Sequence, residues 1–391
     1  MGEESRYDKR GVSASKEDVH KAIKHMDKGL YPLAFCKILP DMVGGEEDYV
    51  NIMHADTAGT KTSLAYIYHQ ETRDISVWDG IVQDSIVMNV DDMACVGAVD
   101  KILLSSTIGR NKHLISGEVI SRIINGATSF VEKMAEYGIT ILQAGGETAD
   151  VGDIVRTIDV GFTTFARLQK SELIVNDIKA GNVIVGIASY GQSTYESSYN
   201  GGMGSNGLTS ARHDVFSKIY ADKYPESYDP NTDSDVIYVG GKSLTDEVDV
   251  PGFGKISAGK LVLSPTRTYL PLIKQMVDQK LAIDGMIHCT GGAQTKVIKF
   301  IKNKKVIKDN LLPIPPLFEM IEGESGTPRK EMYEVFNMGH RLEVYCNQEI
   351  AEKVIGISKS FNIDAKIIGS VEESKTNEVE ITDELGTYSY T

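Results

Sequence analysis

The sequence predicts an α/β protein of two domains, and three observations carry that expectation. The chain has 391 residues, more than one core usually organises, so two domains of roughly 150 to 200 residues are expected. Runs with strand patterning alternate with helical periodicities across glycine-rich turns. The second half then repeats the grammar of the first, strand, glycine turn, helix, without the short period that marks a solenoid.

The elements follow in order. Residues 1 to about 48 read as a mixed, partly helical arm, with Val19, Ile23 and Met26 of "KEDVHKAIKHM" at helical spacing. "EDYVNIMHAD" alternates Val50, Ile52 and His54 against Tyr49, Asn51 and Met53, a strand ending at Asp56. "VWDGIVQDSIVMNVDDMACVGA" sets Val82, Ile86, Val90, Met93 and Gly97 at helical intervals, which predicts a helix with one buried stripe bordered by acids. "DKILLSSTI" reads as a strand and "SGEVISRIINGATSFVEKMAEYG" as a long helix closed by Gly138. "ITILQAGGET" is expected to be a strand running into a glycine turn, and "TIDVGFTTFARL" another strand. A boundary is placed near residues 168 to 175, giving domains 1–170 and 171–391, with "AGNVIVGIASYG" opening the second. Residues 213 to 257, rich in Asp, Tyr, Ser and Pro, break the helical pattern and read as an insertion. Residues 358 to 391 are expected to close the chain with a hairpin and a polar tail.

Composition narrows the function. With 41% hydrophobic and 25% charged residues the chain matches soluble globular proteins, and no apolar run approaches the roughly 20 residues of a membrane span. The polar N-terminus has no signal-peptide core, so a cytoplasmic protein is expected. A net charge of -14 disfavours nucleic acid, which needs a basic surface. Four scattered cysteines without a C-x-x-C pair argue against a zinc site or a disulfide framework.

Several clusters have the residue types that phosphate chemistry uses. Asp56-Thr57-Ala58-Gly59-Thr60-Lys61 lacks the glycine spacing of a P-loop. It offers an acid for magnesium, a glycine that lets amides face phosphate, and a neutralising lysine; a strand-to-helix turn with a surface lysine is the alternative. Asp91 and Asp92 lie between apolar neighbours, with Asp84 two turns away on the same face, and read either as a cation site or as a solvated helix edge. "QAGGETAD" presents Glu147 and Thr148 after two glycines, a ligand turn or an ordinary tight turn. "GMGSNGLTSAR" places Ser205 and Asn206 before a helix, either at a phosphate or as an N-cap. "LSPTRTYL" carries Arg267, and "IHCTGGAQTK" carries His288 and Thr290 beside a glycine pair; a single histidine is more often structural than catalytic. "MYEVFNMGHRLEVY" reads as core leading into a strand.

The order of these clusters is more specific than any one of them. "RGVSASK", "DTAGTK", "NVDDM", "GGETAD", "GSNG", "SPTRTY", "HCTGGAQ" and "MYEVFNMG" resemble, over nearly the whole chain, the aminoimidazole ribonucleotide synthetase (phosphoribosylformylglycinamidine cyclo-ligase) family. The resemblance implies two domains, each a mixed sheet with packed helices, and a homodimer whose first-domain strands meet, with ATP in a cleft there. It also implies ATP-dependent ring closure of formylglycinamidine ribonucleotide. Phosphoryl transfer to an amide oxygen needs its charge neutralised. On the resemblance, therefore, Asp56, Asp92 and Glu147 are expected to hold magnesium, with Gly59, Thr60, Lys61, Asp91, Gly145, Gly146 and Thr148 around the ATP. Ser205, Asn206, Arg267, Thr290, Gly291 and Gly292 are expected at the ribonucleotide. Lys61 and His288 are expected to be catalytic, His288 by stabilising the oxygen or moving a proton. Lys16, Lys21 and Lys24 belong to an arm that folds over the nucleotide.

Three departures point to a divergent subfamily. The family's His-Ser-Asn-Gly is Gly204-Ser205-Asn206-Gly207 here, its three glycines read Gly291-Gly292-Ala293, and Val-Gly after "FN-x-G" becomes His340-Arg341. Asp91 stands where similar proteins commonly carry Asn. His213 or tyrosines of the insertion are candidates for the lost histidine. Two rivals stand beside the cyclo-ligase: another ATP-dependent enzyme of the superfamily, and a noncatalytic nucleotide-binding paralogue. Selenophosphate synthetase is disfavoured because no Cys precedes Cys36.

Overall fold

The computed structural model describes residues 9–12, 21–22 and 24–391. Its first sheet contains β1 (Ile38–Pro40), β2 (Tyr49–Thr57), β3 (Ile102–Arg110), β4 (Ile141–Asp150) and β5 (Ile158–Gln169) in the order β1-β2-β5-β3-β4. Only β3 and β4 run parallel, so the sheet is mixed. Helices α1 (Lys61–Thr72), α2 (Val77–Ala94) and α3 (Gly117–Ala135) belong to the same unit. In α3, Val119, Ile123, Ala127, Phe130 and Met134 are buried along one stripe, and the Ser116 hydroxyl caps the Val119 amide. Gly138 follows with φ +72°.

Helix α2 departs from its expected pattern. It is buried on nearly all sides, and Asp84, Asp91 and Asp92 are interior with the apolar residues. The acids are therefore not a solvated border, and each must find a polar partner.

The other face of the first sheet is open. Cross-strand register aligns Met53, Phe165, Leu103 and Leu142 in one row, and Met53, Leu103 and Leu142 are exposed. The segment expected to turn at Gly145 and Gly146 continues as edge strand β4. A bulge with Gly145 at φ +100° absorbs one extra residue, so that Ala144 and Gly145 together stand opposite Ser105.

The second sheet has β6 (Val183–Ala188), β9 (Gly285–His288), β10 (Lys304–Lys308), β11 (His340–Cys346), β12 (Ala365–Glu373), β13 (Glu378–Asp383) and β14 (Gly386–Tyr390), with β7 (Glu247–Val250) and β8 (Gly254–Ser257) as a separate hairpin. Its order is β14-β13-β10-β12-β6-β11-β9, mixed because β10 and β13 are parallel. The chain ends in the expected β13–β14 hairpin. Helices α4 (Leu208–Val215), α5 (Ile219–Lys223), α6 (Ala258–Val262), α7 (Leu270–Asp278), α8 (Pro316–Ser325), α9 (Arg329–Val335) and α10 (Gln348–Ser360) complete this half. The segment 213–257 is short helices, turns and the β7–β8 hairpin. It packs onto α1 through Tyr66 to Glu226 (2.6 Å) and Tyr224 to Glu71 (2.5 Å). His213 is core: its Nδ1 accepts from the Tyr238 amide (3.2 Å), its ring lies 4.5 Å from that of Tyr238, and burial depresses its basicity. It does not replace the missing histidine.

Arg10 pins the N-terminal arm to the second domain, donating to both Asp214 oxygens (2.8 and 2.6 Å), Ser210 and the Val236 carbonyl. Lys16 lies outside the described residues; Lys21 and Lys24 are exposed. Among the described residues no helix is long and apolar enough to cross a membrane, and all four cysteines are buried and unpaired.

Candidate active site

The acids of α2 face the second domain and fasten it. Asp84 accepts from Lys61 Nζ (2.8 Å) and from the Thr266 amide and hydroxyl (2.7 and 2.6 Å). Asp91 accepts from the Thr268 hydroxyl (2.6 Å) and the Tyr269 amide (2.8 Å). Burial pushes the Asp91 carboxyl up to about 7 against those two donors. Asp92 Oδ1 reaches His288 Nδ1 on β9 at 2.7 Å, and its Oδ2 lies 3.4 Å from His54 Nε2 on β2. Burial raises the Asp92 carboxyl, but Lys296, His288 and His54 together outweigh it and hold the group below its ordinary value.

His288 is fully buried, and burial lowers its basicity to about 4 despite Asp92. The neutral ring donates from Nδ1 to Asp92, and its Nε2 accepts from Arg341 Nε (3.2 Å). Both ring nitrogens are committed, so His288 orients Asp92 and Arg341. It does not offer a proton to substrate as expected.

Lys61 also departs from its expected role. Its side chain is 0% exposed, and the ammonium donates to Asp84 and to the Ser264 carbonyl (2.6 Å). A lysine held there tethers two domains and cannot cover a phosphate. Arg267 is also 0% exposed, forked onto Glu196 (3.0, 3.2 and 2.6 Å) with Nη1 on the Ala188 and Tyr190 carbonyls (3.1 and 2.6 Å). Its donors are spent inside the second domain, so it is not a substrate ligand.

The expected magnesium trio does not assemble. Asp56, Phe162, Ser106 and Gly146 lie in one cross-strand row, so three strand spacings, about 14 Å, separate β2 from β4 there. Parity adds to the distance: Asp56 shares the helix-covered face with Ile52 and His54, whereas Glu147 pairs with Thr107 on the open face. Among the described residues no three His, Cys, Asp or Glu side chains are grouped to hold a metal ion. These acids therefore do not fit a magnesium site within one chain. Gly146 is at the edge strand for packing: a Cβ there would sit 2.0 Å from Ser106 Oγ. Gly145, Glu147 and Thr148 are part of the same strand, away from the interdomain cluster.

Other expected residues do come together. Thr60, at the start of α1, touches Thr209 at the start of α4 (2.8 Å between hydroxyls), which brings the Gly59-Thr60 turn beside Ser205-Asn206. A Cβ on Gly291 would lie 3.7 Å from Asn206 Nδ2, so the Ser205-Asn206-Gly207 and Thr290-Gly291-Gly292 turns face each other. Gly292, at φ +86°, opens a 3-10 helix over Ala293–Phe300. From it Lys296 donates to Thr290 Oγ1 and lies 4.4 Å from the Phe35 ring centre. Lys296 is half-buried and close enough to Asp92 to lower its carboxyl. Lys296, Arg341 and His54 were missed as site residues. Lys296 ends the quoted "HCTGGAQTK" motif, but nothing in a linear string distinguishes it from a surface lysine.

Comparison with known proteins agrees with this architecture. A family model described as "AIR synthase related protein, N-terminal domain" matches residues 38–168, and the corresponding C-terminal domain model matches 179–382. Phosphoribosylformylglycinamidine cyclo-ligase of Methanocaldococcus jannaschii is 31% identical over 330 residues, covering 84% of this chain and 79% of that protein. The protein of the same name from Pyrococcus horikoshii is 28% identical over 341 residues, 86% of this chain and 84% of its own. Among solved structures, a chain of the HypE–HypF complex aligns with TM-score 0.55 at 15% identity, over 97% of this chain and 98% of that one. The structure of tt0281 from Thermus thermophilus aligns with TM-score 0.52 at 11% identity, over 94% and 96%. Those two likenesses concern the fold alone.

Proposed function

The chain belongs to the AIR synthase related protein family, and from that premise we propose that it is an ATP-dependent cyclo-ligase. It converts formylglycinamidine ribonucleotide to aminoimidazole ribonucleotide, ADP and phosphate in purine biosynthesis. The γ-phosphoryl group of ATP passes to the formyl oxygen, an amidine nitrogen attacks that carbon, and phosphate leaves as the ring closes. The observation that carries the reading is the convergence, between the domains, of the Gly59-Thr60, Ser205-Asn206 and Thr290-Gly291 turns beside Asp92 and Lys296. The relatives' shared name supplies the substrate.

In this reading Ser205, Asn206, Thr290 and Gly291 bind the ribonucleotide. Gly59 and Thr60 form the edge of the ATP site, and Lys296 takes the charge-neutralising role that Lys61 cannot. No step is routed through a metal, because among the described residues the acids do not group to hold one. The open face of the first sheet, with its exposed Met53, Leu103 and Leu142 and the free edge of β4, supports a homodimer joined there, since such a face is seldom left bare.

The test is ribonucleotide-dependent release of phosphate from ATP, compared with Asn206→Ala. That variant should keep its melting temperature and lose at least tenfold in kcat/KM for the ribonucleotide. ATP turnover that ignores the ribonucleotide would refute the reading.

A further inference from the structure

The family pattern places a histidine where this chain has Gly204, and a glycine where it has Arg341. The two departures meet in space. A Cβ built on Gly204 would lie in van der Waals contact with Arg341, 3.7 Å from Nη1 and 3.8 Å from Cδ, so a side chain at 204 would extend from the spot the guanidinium now lines. Arg341 is 2% exposed. It is held by Nε on His288, by Nη2 on the Arg267 carbonyl, and by the Tyr269 ring 5.4 Å beneath. Nη1, the nitrogen turned toward Gly204, finds no hydrogen-bond partner among the described residues, and neither does the buried Ser205 Oγ. A guanidinium donor turned toward Gly204 and the hydroxyl of the next residue, both buried and unpaired, cost free energy unless something binds them. The adjoining Asn206 is half-buried and Gly291 exposed, so a ligand can reach the turn.

We propose that Arg341 takes over the missing histidine's place and that Arg341 Nη1 and Ser205 Oγ together hold a phosphoryl oxygen. Planar, permanently charged Arg suits an anionic oxygen here. Two sources present such an oxygen in the cyclo-ligase reading on which this rests: the 5′-phosphate of the ribonucleotide and the phosphoryl group arriving from ATP.

The experiment compares wild type, Arg341→Lys, Arg341→Gly, and the swap Arg341→Gly with Gly204→His. Arg341→Gly should lose about 10- to 100-fold, the range of a charge-assisted hydrogen bond. Loss in the Kd of the ribonucleotide measured without ATP assigns the 5′-phosphate; loss in kcat with that Kd unchanged assigns the transferred phosphoryl. The swap should recover most of the loss and acquire a pH limb near the imidazole pKa, about 6.5, with activity falling as the ring loses its proton. A guanidinium gives wild type no such limb. A purely structural Arg341 would leave the pH profile of the swap like that of wild type, and that result overturns the proposal. So does an Arg341→Gly protein that folds and keeps both Kd and kcat. Binding of inorganic phosphate, followed by calorimetry, separates the two claims: if wild type makes no product, the cyclo-ligase reading has failed. The anion site then stands if Arg341→Gly weakens phosphate at least tenfold, and falls if it does not.

Discussion

Lys61→Met separates a tether from a phosphate ligand. The substitution removes an ammonium that is 0% exposed and bonded to an equally buried Asp84 and to the Ser264 carbonyl. Breaking a buried ion pair from one side costs about 3–5 kcal/mol because the remaining charge is stranded. Thr266 still donates twice to Asp84 Oδ1, whereas Asp84 Oδ2 has no partner among the described residues, so the lower end, about 3 kcal/mol, is expected. With a melting entropy of about 2.1 cal/mol/K per residue and 391 residues melting together, that is a fall in Tm of about 4 °C. Calorimetry gives the Tm, and ATP titration of the folded protein gives the Kd. A tether gives the drop in Tm with an ATP Kd changed less than threefold. An unchanged Tm with ATP affinity reduced thirtyfold would refute it and restore Lys61 to the phosphates.

Further outcomes follow from the same interface. Burial raises the Asp91 carboxyl to about 7, above its unfolded value. Wild-type stability from this group is therefore whole below about pH 4 and declines as pH rises toward 7. Asp91→Asn keeps one acceptor for the Tyr269 amide and one donor for Thr268, so its stability should gain on wild type across that window, by on the order of 3–4 kcal/mol at most; parallel curves of Tm against pH would contradict this. His288 shifts the other way: its basicity is lowered to about 4, so its contribution is present above about pH 6.5 and is lost as pH falls toward 4. Nitrogen-resolved NMR should show one neutral tautomer, protonated at Nδ1, with no titration between about pH 5.5 and 8, and a midpoint near the ordinary value of about 6.5 would disprove the locked ring. Gly146→Ala forces a Cβ against Ser106 Oγ at 2.0 Å and its carbonyl at 2.6 Å. It should cost about 1–3 kcal/mol by overpacking and displace the edge strand β4; a melting curve matching wild type would show that the strand yields freely.

What the sequence revealed and what it hid have separate physical causes. Periodicity reports burial of one face, so α3, with its single apolar stripe, and β2, with its alternation, were readable. For helix α2 the periodicity marks the helix but not its surroundings. A helix buried on all sides carries no polar border, and its three acids were compensated by Thr266, Thr268, Tyr269 and His288, more than 170 positions away. Motif order identified the family, yet it could not assign valence. Lys61 and Arg267 have the residue types of ligands, but each of their charged nitrogens is buried and bonded within the fold. The magnesium trio failed on strand parity and sheet order, neither of which follows from the spacing of Asp56, Asp92 and Glu147. The Gly204 and Arg341 departures were visible one at a time; their complementarity appears only when β11 is laid beside the Ser205-Asn206-Gly207 turn.

If ATP activates the formyl oxygen for ring closure, that oxygen departs in the phosphate, and an isotope label on it follows the step. The purified protein would be given formylglycinamidine ribonucleotide carrying oxygen-18 in the formyl group, with ATP as its magnesium salt, and the released phosphate analysed by mass spectrometry. One labelled oxygen is expected in each phosphate, in step with aminoimidazole ribonucleotide and ADP. Phosphate free of label, or ADP formed without aminoimidazole ribonucleotide, would contradict it.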